Sequence, residues 1–349
     1  MNIQPAILSI GVANPVQRYS QEEIYNTGIL YSSFYRSERV KQIFMQSDIE
    51  YRHFYFDLTD SKFDDSLDKL HERFKRGSID IGINAINECL RNGDIGIHDI
   101  DYIIVVSCTG YLCPGLTSYY IKELSLRQNI QRADILGMGC AGAMPGLQRA
   151  YDFVKAYPDK KALLIAVEIC SACYYIDDSL ETVVGNAICS DGAAAIVVGM
   201  SENPSVPKIM GFETHLEPQY MHTVGFEQRE GRLRIILSKD IRKIAGGLAK
   251  TVFNNLLKNN NLDQHAIDHW ILHSGGRKVI DSLQEAMGFT DEQVRHSRCV
   301  LKNFGNMSSP TVLFVLKETM EKSNPKSGDY GVMLAMGPGL ALEAALLRW

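Results

Sequence analysis

Three apolar runs set the tightest limit on what this chain can fold into: Asp101 to Val106 (DYIIVV), Lys161 to Val167 (KALLIAV) and Ala193 to Val198 (AAAIVV). None alternates polar with apolar. A strand with one wet face alternates; a strand covered on both faces does not. Helical spacing fills the intervals, over Ser78 to Arg91 and Thr117 to Leu126. Ile7 to Gly11 reads as a further strand, and Ser20-Gln21-Glu22-Glu23 as a helix start with serine as its cap. The alternation predicts an α/β fold whose sheet is largely buried under helices.

The second half echoes the first. Asp101 to Gly110 and Asp268 to Gly276 each run from an acidic residue through a buried strand into a polar, glycine-containing loop. Asp191 to Val197 and Asp329 to Ala335 form a second matching pair. Two similar halves are expected, residues 1–202 and 203–349, joined at Ser201 to Pro207, where Asn203, Pro204 and Pro207 mark a linker. The charged stretch Phe56 to Ser78 reads as a solvated face with an amphipathic helix near Ser66 to Lys75.

Composition narrows the function classes. The net charge of −5, with no basic run, argues against nucleic acid. Phosphate-bearing substrates stay open, because a few local cations suffice for them. No apolar run reaches the ~20 residues of a membrane span. The start Met1-Asn2-Ile3-Gln4-Pro5 lacks the features of a signal peptide. Eight cysteines include one CxxC, Cys170 and Cys173, without a second metal-type pair. A reduced, cytoplasmic, metal-free protein is the expectation.

The chemistry concentrates at Leu136-Gly137-Met138-Gly139-Cys140-Ala141-Gly142-Ala143. A short strand read as buried, Ala133 to Leu136, leads in, and a helical pattern follows to Ala156. A cysteine on such a turn lies beside a helix N-terminus, whose dipole lowers the thiol pKa. The alternative is a buried structural thiol. His273 ends the run Trp270-Ile271-Leu272 and precedes Ser274-Gly275-Gly276, at a strand end where α/β folds place their sites. Asn306 sits in Gly305-Asn306-Met307-Ser308-Ser309, before a helix over Thr311 to Lys322. Singly, these read as a loop histidine and a helix cap. Together they make a Cys-His-Asn set of nucleophile, base and amide donor.

At this point the chain resembles the type III polyketide synthases, the chalcone synthase-like group of the thiolase superfamily. The resemblance rests on Ile7 to Pro15, the Cys140 turn, Val167-Glu168-Ile169-Cys170-Ser171, Ser190-Asp191-Gly192, His273-Ser274-Gly275-Gly276, Gly305 to Ser309 and Gly337-Pro338-Gly339. In its C-terminal third the chain is most similar to bacterial members that make 3,5-dihydroxyphenylacetyl-CoA. The resemblance implies a five-layered αβαβα sandwich and a cytoplasmic homodimer with no cofactor beyond CoA thioester substrates. It implies that Cys140 carries the acyl chain and forms an ion pair with His273. It implies that His273 and Asn306 hold the thioester carbonyl of malonyl-CoA during decarboxylation. Iterated condensation and cyclisation would follow.

The family pattern also points to a substrate pocket at Cys113, Cys170, Cys173, Gly185, Cys189, Ser308, Pro338 and Gly339. Cys113 matches a residue that crosses into the neighbouring subunit's cavity. Cys189 replaces a phenylalanine that usually gates the CoA tunnel. Arg52 is a basic residue that could meet CoA phosphates, but the family's other basic positions at the tunnel mouth are unmatched, so loading from another acyl-CoA or an acyl carrier protein stays open. The competing readings are a single-condensation ketosynthase, a synthase of alkylresorcinols or pyrones from a longer acyl starter, a cysteine hydrolase and a non-catalytic partner.

Overall fold

The apolar runs become interior strands of one nine-stranded mixed sheet. The structure is a computed structural model describing residues 3–58, 66–238 and 240–349. The strands are β1 (Gln4–Ala13), β2 (Arg18–Ser20), β3 (Tyr51–His53), β4 (Tyr102–Ser107), β5 (Gln131–Leu136), β6 (Ala162–Glu168), β7 (Gly192–Ser201), β8 (Lys208–Leu216), β9 (Val224–Arg229), β10 (Arg232–Leu237), β11 (His269–Leu272), β12 (Tyr330–Gly337) and β13 (Ala341–Arg348). The helices are α1 (Gln21–Tyr31), α2 (Glu38–Met45), α3 (Leu67–Gly93), α4 (Leu116–Glu123), α5 (Ala143–Ala156), α6 (Leu180–Ile188), α7 (Ile241–Asn259), α8 (Arg277–Met287), α9 (Asp291–Phe304) and α10 (Thr311–Lys322).

The sheet order is β11-β12-β13-β8-β1-β7-β6-β4-β5. Its two halves mirror each other about β1 and β8. β4 pairs parallel with β6, as β11 does with β12, and β6 pairs antiparallel with β7, as β12 does with β13. This corrects one part of the sequence echo. Asp329 to Ala335 occupies the place of β6, not that of Asp191 to Val197, and β13 is the counterpart of β7.

The helices complete five layers. α3 covers one outer face, against β1, β6 and β7, and α7 covers the other, against β8 and β13. Between the sheet halves lie α5 and α10, and each touches strands of both. Their composition allows this. α5 buries Met144, Leu147, Ala150 and Val154, while Val312 to Leu316 of α10 are buried on every side. A helix apolar all round belongs in an interior. Each such side chain fully removed from water contributes ~1.5–3 kcal/mol.

Local signals acted as read in several places. Ser20 caps α1 in a capping box with Glu23. The two helical patterns at Ser66 to Lys75 and Ser78 to Arg91 are one helix, α3; residues 59–65, also in the charged stretch, lie outside the described residues. β5 differs from expectation. It is the edge of the sheet, paired only with β4, and Leu136 is 47% exposed.

Candidate active site

Cys140 lies on a 3-10 turn, Gly139–Ala141, between β5 and α5. Gly139 has φ 52, and a Cβ there would sit 2.4 Å from Pro338 Cδ. The turn is therefore clamped against the start of the segment linking β12 and β13. Gly146, one turn into α5, packs where a Cβ would lie 2.6 Å from Leu164 Cδ1. These two close approaches seat α5 and hold the sulfur in a fixed place.

His273 follows β11, and its backbone N–H donates to Leu334 O at 2.8 Å, extending the pairing with β12. The side chain is buried, and its Nδ1 has no hydrogen-bond partner among the described residues. Asn306 is held from both sides. Its N–H donates to Ile188 O at 2.8 Å, and its carbonyl accepts from Ser190 N at 2.9 Å, a parallel bridge opposite Cys189. Its Nδ2 donates to Gly275 O at 3.1 Å, and its Oδ1 accepts from Ser308 N at 2.8 Å. One amide hydrogen of Nδ2 stays uncommitted by these contacts. A Cβ on Gly275 would be 3.3 Å from His273 Nε2, so the histidine ring and the asparagine amide flank the same glycine.

Cys140, His273 and Asn306 line one cavity of about 80 Å³, together with Cys170, Cys189, Ser308 and Pro338. The other expected pocket residues stand elsewhere. Gly185 is behind the wall, where a Cβ would come within 2.7 Å of Ile235 Cγ2. The Cys173 thiol donates to Thr109 O. Gly339, at φ 84, forms the turn beside Leu216. Cys113 is exposed on this chain. Arg52 is fully buried and cannot meet a phosphate in solvent. A wider cleft of about 610 Å³ runs between Asn14–Gln17 and residues 80–84 of α3, and the Cys-His-Asn set is not on its walls.

The β9–β10 hairpin supplies much of the cavity wall that sequence reading missed. Phe226 and Ile235, cross-strand partners, face the cavity with Val224 and Leu237. Their apolar character carried no motif. Cys108 was missed too. Its sulfur lies 3.5 Å from Ser308 Oγ, and its place in Ser107-Cys108-Thr109-Gly110, after a parallel strand, was an available signal.

Electrostatics reverse the expectation for the thiol. Burial pushes Cys140 up to about 12, outweighing the hydrogen bonds from Ser308 and Asn306 that favour the thiolate. Burial also holds His273 down to about 4. Burial thus favours the neutral form of each group at rest. A helix N-terminus acts within one turn, but desolvation acts from every wall.

Glu168, at the end of β6, organises the polar floor. Its Oε2 accepts from Cys108 N at 2.9 Å, Thr109 N at 3.1 Å and Thr109 Oγ1 at 2.9 Å, and Oε1 accepts from Ser309 Oγ at 2.6 Å. One carboxylate therefore ties the loop after β4 to the loop that carries Asn306. Among the described residues, no group of three or more His, Cys, Asp and Glu is arranged to hold a metal. No helix among them is long and apolar enough to cross a membrane.

A layered α/β fold with a cysteine at the head of its central helix is the architecture of the thiolase-type condensing enzymes. Sequence profiles place the chain within that class. Residues 213–349 match the C-terminal domain of chalcone and stilbene synthases, and residues 60–259 match FAE1/type III polyketide synthase-like proteins. The chain is 33% identical to a 3,5-dihydroxyphenylacetyl-CoA synthase of Streptomyces toyocaensis, over 99% of this chain and 90% of that protein. It is 30% identical to the enzyme of that name from Amycolatopsis balhimycina, over 97% and 92%. The crystal structure of PKS-I from the brown alga Ectocarpus siliculosus superposes with a TM-score of 0.91 at 29% identity, covering 100% of this chain and 99% of that one. The chain belongs to the type III polyketide synthase family, condensing acyltransferases that form carbon–carbon bonds.

Proposed function

We propose that Cys140 is the acylated residue and that His273 and Asn306 stabilise the charge that develops on malonyl-CoA. One observation carries this reading: the three side chains, from three distant segments, line the same cavity. With thiol and imidazole both neutral at rest, His273 takes the Cys140 proton as sulfur attacks the incoming thioester, then returns it to the departing CoA sulfur. The neutral imidazole then has an N–H to offer. That donor and the second Nδ2 hydrogen of Asn306, which faces Cys140 at rest, meet the carbonyl oxygen of the malonyl thioester. Loss of carbon dioxide places negative charge on that oxygen, where fixed donors in a dry site stabilise it best. The resulting enolate carbon attacks the acyl-Cys140 carbonyl. The chain then returns to Cys140, and repetition builds a poly-β-keto chain.

The substrate reading is supported by the relatives. Malonyl-CoA serves as both starter and extender, and the product is 3,5-dihydroxyphenylacetyl-CoA or a related resorcinol. A medium or long acyl starter, the route to alkylresorcinols or pyrones, is the rival reading. The active unit is a homodimer. Exposed Cys113 and Tyr111, near the edge strand β5, support a second copy there. Purified enzyme given labelled malonyl-CoA alone should release an aromatic CoA ester or acid. Product that appears only after a longer acyl thioester is added overturns the malonyl starter and leaves the condensing chemistry standing.

A further inference from the structure

Arg52, on β3, is 0% exposed, and among the described residues its hydrogen bonds go only to main-chain carbonyls. Its Nη1 donates to Asn186 O at 2.5 Å and to Cys189 O at 2.9 Å, while Nε and Nη2 are buried without partners. Burial lowers its pKa to about 10, which leaves it charged at neutral pH. A buried cation that bonds no carboxylate is costly, and a hydrocarbon of the same length would fill the space at lower cost. The cost is offset by where the charge lies. Asn186 and Cys189 belong to the C-terminal turn of α6 and its cap, the negative end of that helix.

The last three carbonyls of α6 find no partner within the helix. Each takes one from elsewhere in the chain. Asn186 O accepts from Arg52, Ala187 O accepts from Gln21 Nε2 at 2.7 Å, and Ile188 O accepts from Asn306 N at 2.8 Å. The main chain of Asn306 thus hangs from Ile188, and Arg52 clamps the same turn two residues before and one residue after that point. The stem of Arg52 meets the Asn306 loop as well. A Cβ on Gly305 would be 2.9 Å from Arg52 Cγ and 3.0 Å from Cδ. One side chain therefore packs against the residue before Asn306 and holds the turn to which Asn306 is bonded. Arg52 bonds neither the Asn306 amide nor any group of the cavity wall except the Cys189 carbonyl.

We propose that Arg52 is a positioning residue for decarboxylation: it fixes the Asn306 amide by holding the end of α6 and the Gly305 backbone. The inference rests on the role given above to Asn306 as a donor to the malonyl thioester oxygen. A donor set in place before charge develops stabilises that charge best. Without Arg52, Asn186 O and Cys189 O lose a partner in a buried place, and the turn that carries Asn306 is free to shift. Misplacement by about 1 Å costs on the order of 10²-fold in rate. That approaches the ~10²–10³-fold loss from removing the amide itself. Ile188 and Cys189 also line the cavity, so Arg52 has a second route to the chemistry, through the wall. The test must separate the two.

A double-variant cycle on the full-length enzyme does so, read as initial carbon dioxide release from malonyl-CoA. Arg52→Met should lower kcat by about 10–10²-fold and leave KM within about 2-fold. In Asn306→Ala there is no amide to position, and adding Arg52→Met should change release by no more than about 2-fold. A general weakening of the fold, or an effect through the wall, would lower both backgrounds alike. Arg52→Lys keeps a cation at the helix end and should recover part of the loss. If Arg52→Met does not fold, Arg52→Lys takes its place in the cycle on the same criteria. Equal losses with and without the Asn306 amide overturn the proposal. So does wild-type release by Arg52→Met while Asn306→Ala is slow. Wild-type release by Asn306→Ala instead removes Asn306 from the site, and this inference with it.

Discussion

Replacing Glu168 separates two views of the polar floor. Its carboxylate is fully buried and accepts from two backbone N–H groups and from the hydroxyls of Thr109 and Ser309. In Glu168→Ala these donors lose their acceptor in a dry interior. Each buried donor without a partner costs ~1–3 kcal/mol, and breaking a buried charged network typically costs ~3–5 kcal/mol in all. The loss should come near the upper figure, because the backbone N–H groups of Cys108 and Thr109 cannot turn toward water. Glu168→Gln is the informative contrast. Its amide oxygen can keep both N–H groups, and the Ser309 hydroxyl can rotate to accept from the new NH2. Burial already raises the Glu168 pKa, so removing the charge relieves some desolvation. The Gln variant should therefore lose no more than ~1 kcal/mol. Urea unfolding of the three proteins at pH 7 gives the comparison. An Ala variant within ~1 kcal/mol of wild type, or a Gln variant as damaged as Ala, refutes the reasoning.

Gly139→Ala should cost ~2–5 kcal/mol, from a left-handed φ and a clash with Pro338, and should lower condensation; urea unfolding and product yield measure both. Cys140→Ala should abolish the acyl-enzyme, seen by intact mass after incubation with malonyl-CoA, yet retain some carbon dioxide release. Asn306→Ala should slow decarboxylation by ~10²–10³-fold; wild-type release would remove Asn306 from the site. His273 makes the fold acid-labile. Its folded pKa of about 4 lies below the ordinary 6.5, so the unfolded chain binds a proton that the folded one does not, and stability falls as pH drops from 6.5 toward 4. The difference between wild type and His273→Gln should shift by about 3 kcal/mol over that range. Asp191, raised to about 6 by burial, acts in the opposite sense in both proteins and cancels in the comparison.

Legibility followed how local each cause was. β4, β6 and β7 could be read because covering both faces removes alternation, and that trace is in the sequence. Ser20 and Glu23 showed the start of α1 because a capping box spans only four residues. β5 was misread because Ala133, Ile135 and Leu136 are apolar, while its edge position depends on partners that it lacks. The counterpart of Asp191 to Val197 was misassigned because β12 and β13 are both apolar and only sheet order tells them apart. At the site, residue types and glycine loops pointed to Cys140, His273 and Asn306. The hairpin wall of Phe226 and Ile235 left no polar signature. The state of Cys140 was missed because a dipole is a property of one helix, whereas desolvation comes from Asn306, Ser308 and Pro338, far away in the chain.

The order of the strands has a consequence for the chain while it is being made. The strands β1, β4, β5, β6 and β7 are complete once Ser201 has been added, and Cys140 already stands at the head of α5. Cys170, Ile188 and Cys189 of the cavity wall are made by then, while the rest, from Val224 to Pro338, emerges later. At ~5–20 residues per second, the ribosome needs roughly 10–40 s to reach the C-terminus from Cys140. Through that interval the helix N-terminus lacks the desolvating walls of the second half, and a helix N-terminus open to water is the condition that makes a thiol acidic. The nascent polypeptide is thus more open to electrophiles at Cys140 than the finished enzyme. Packing of the second half against the first adds the burial that raises the Cys140 pKa.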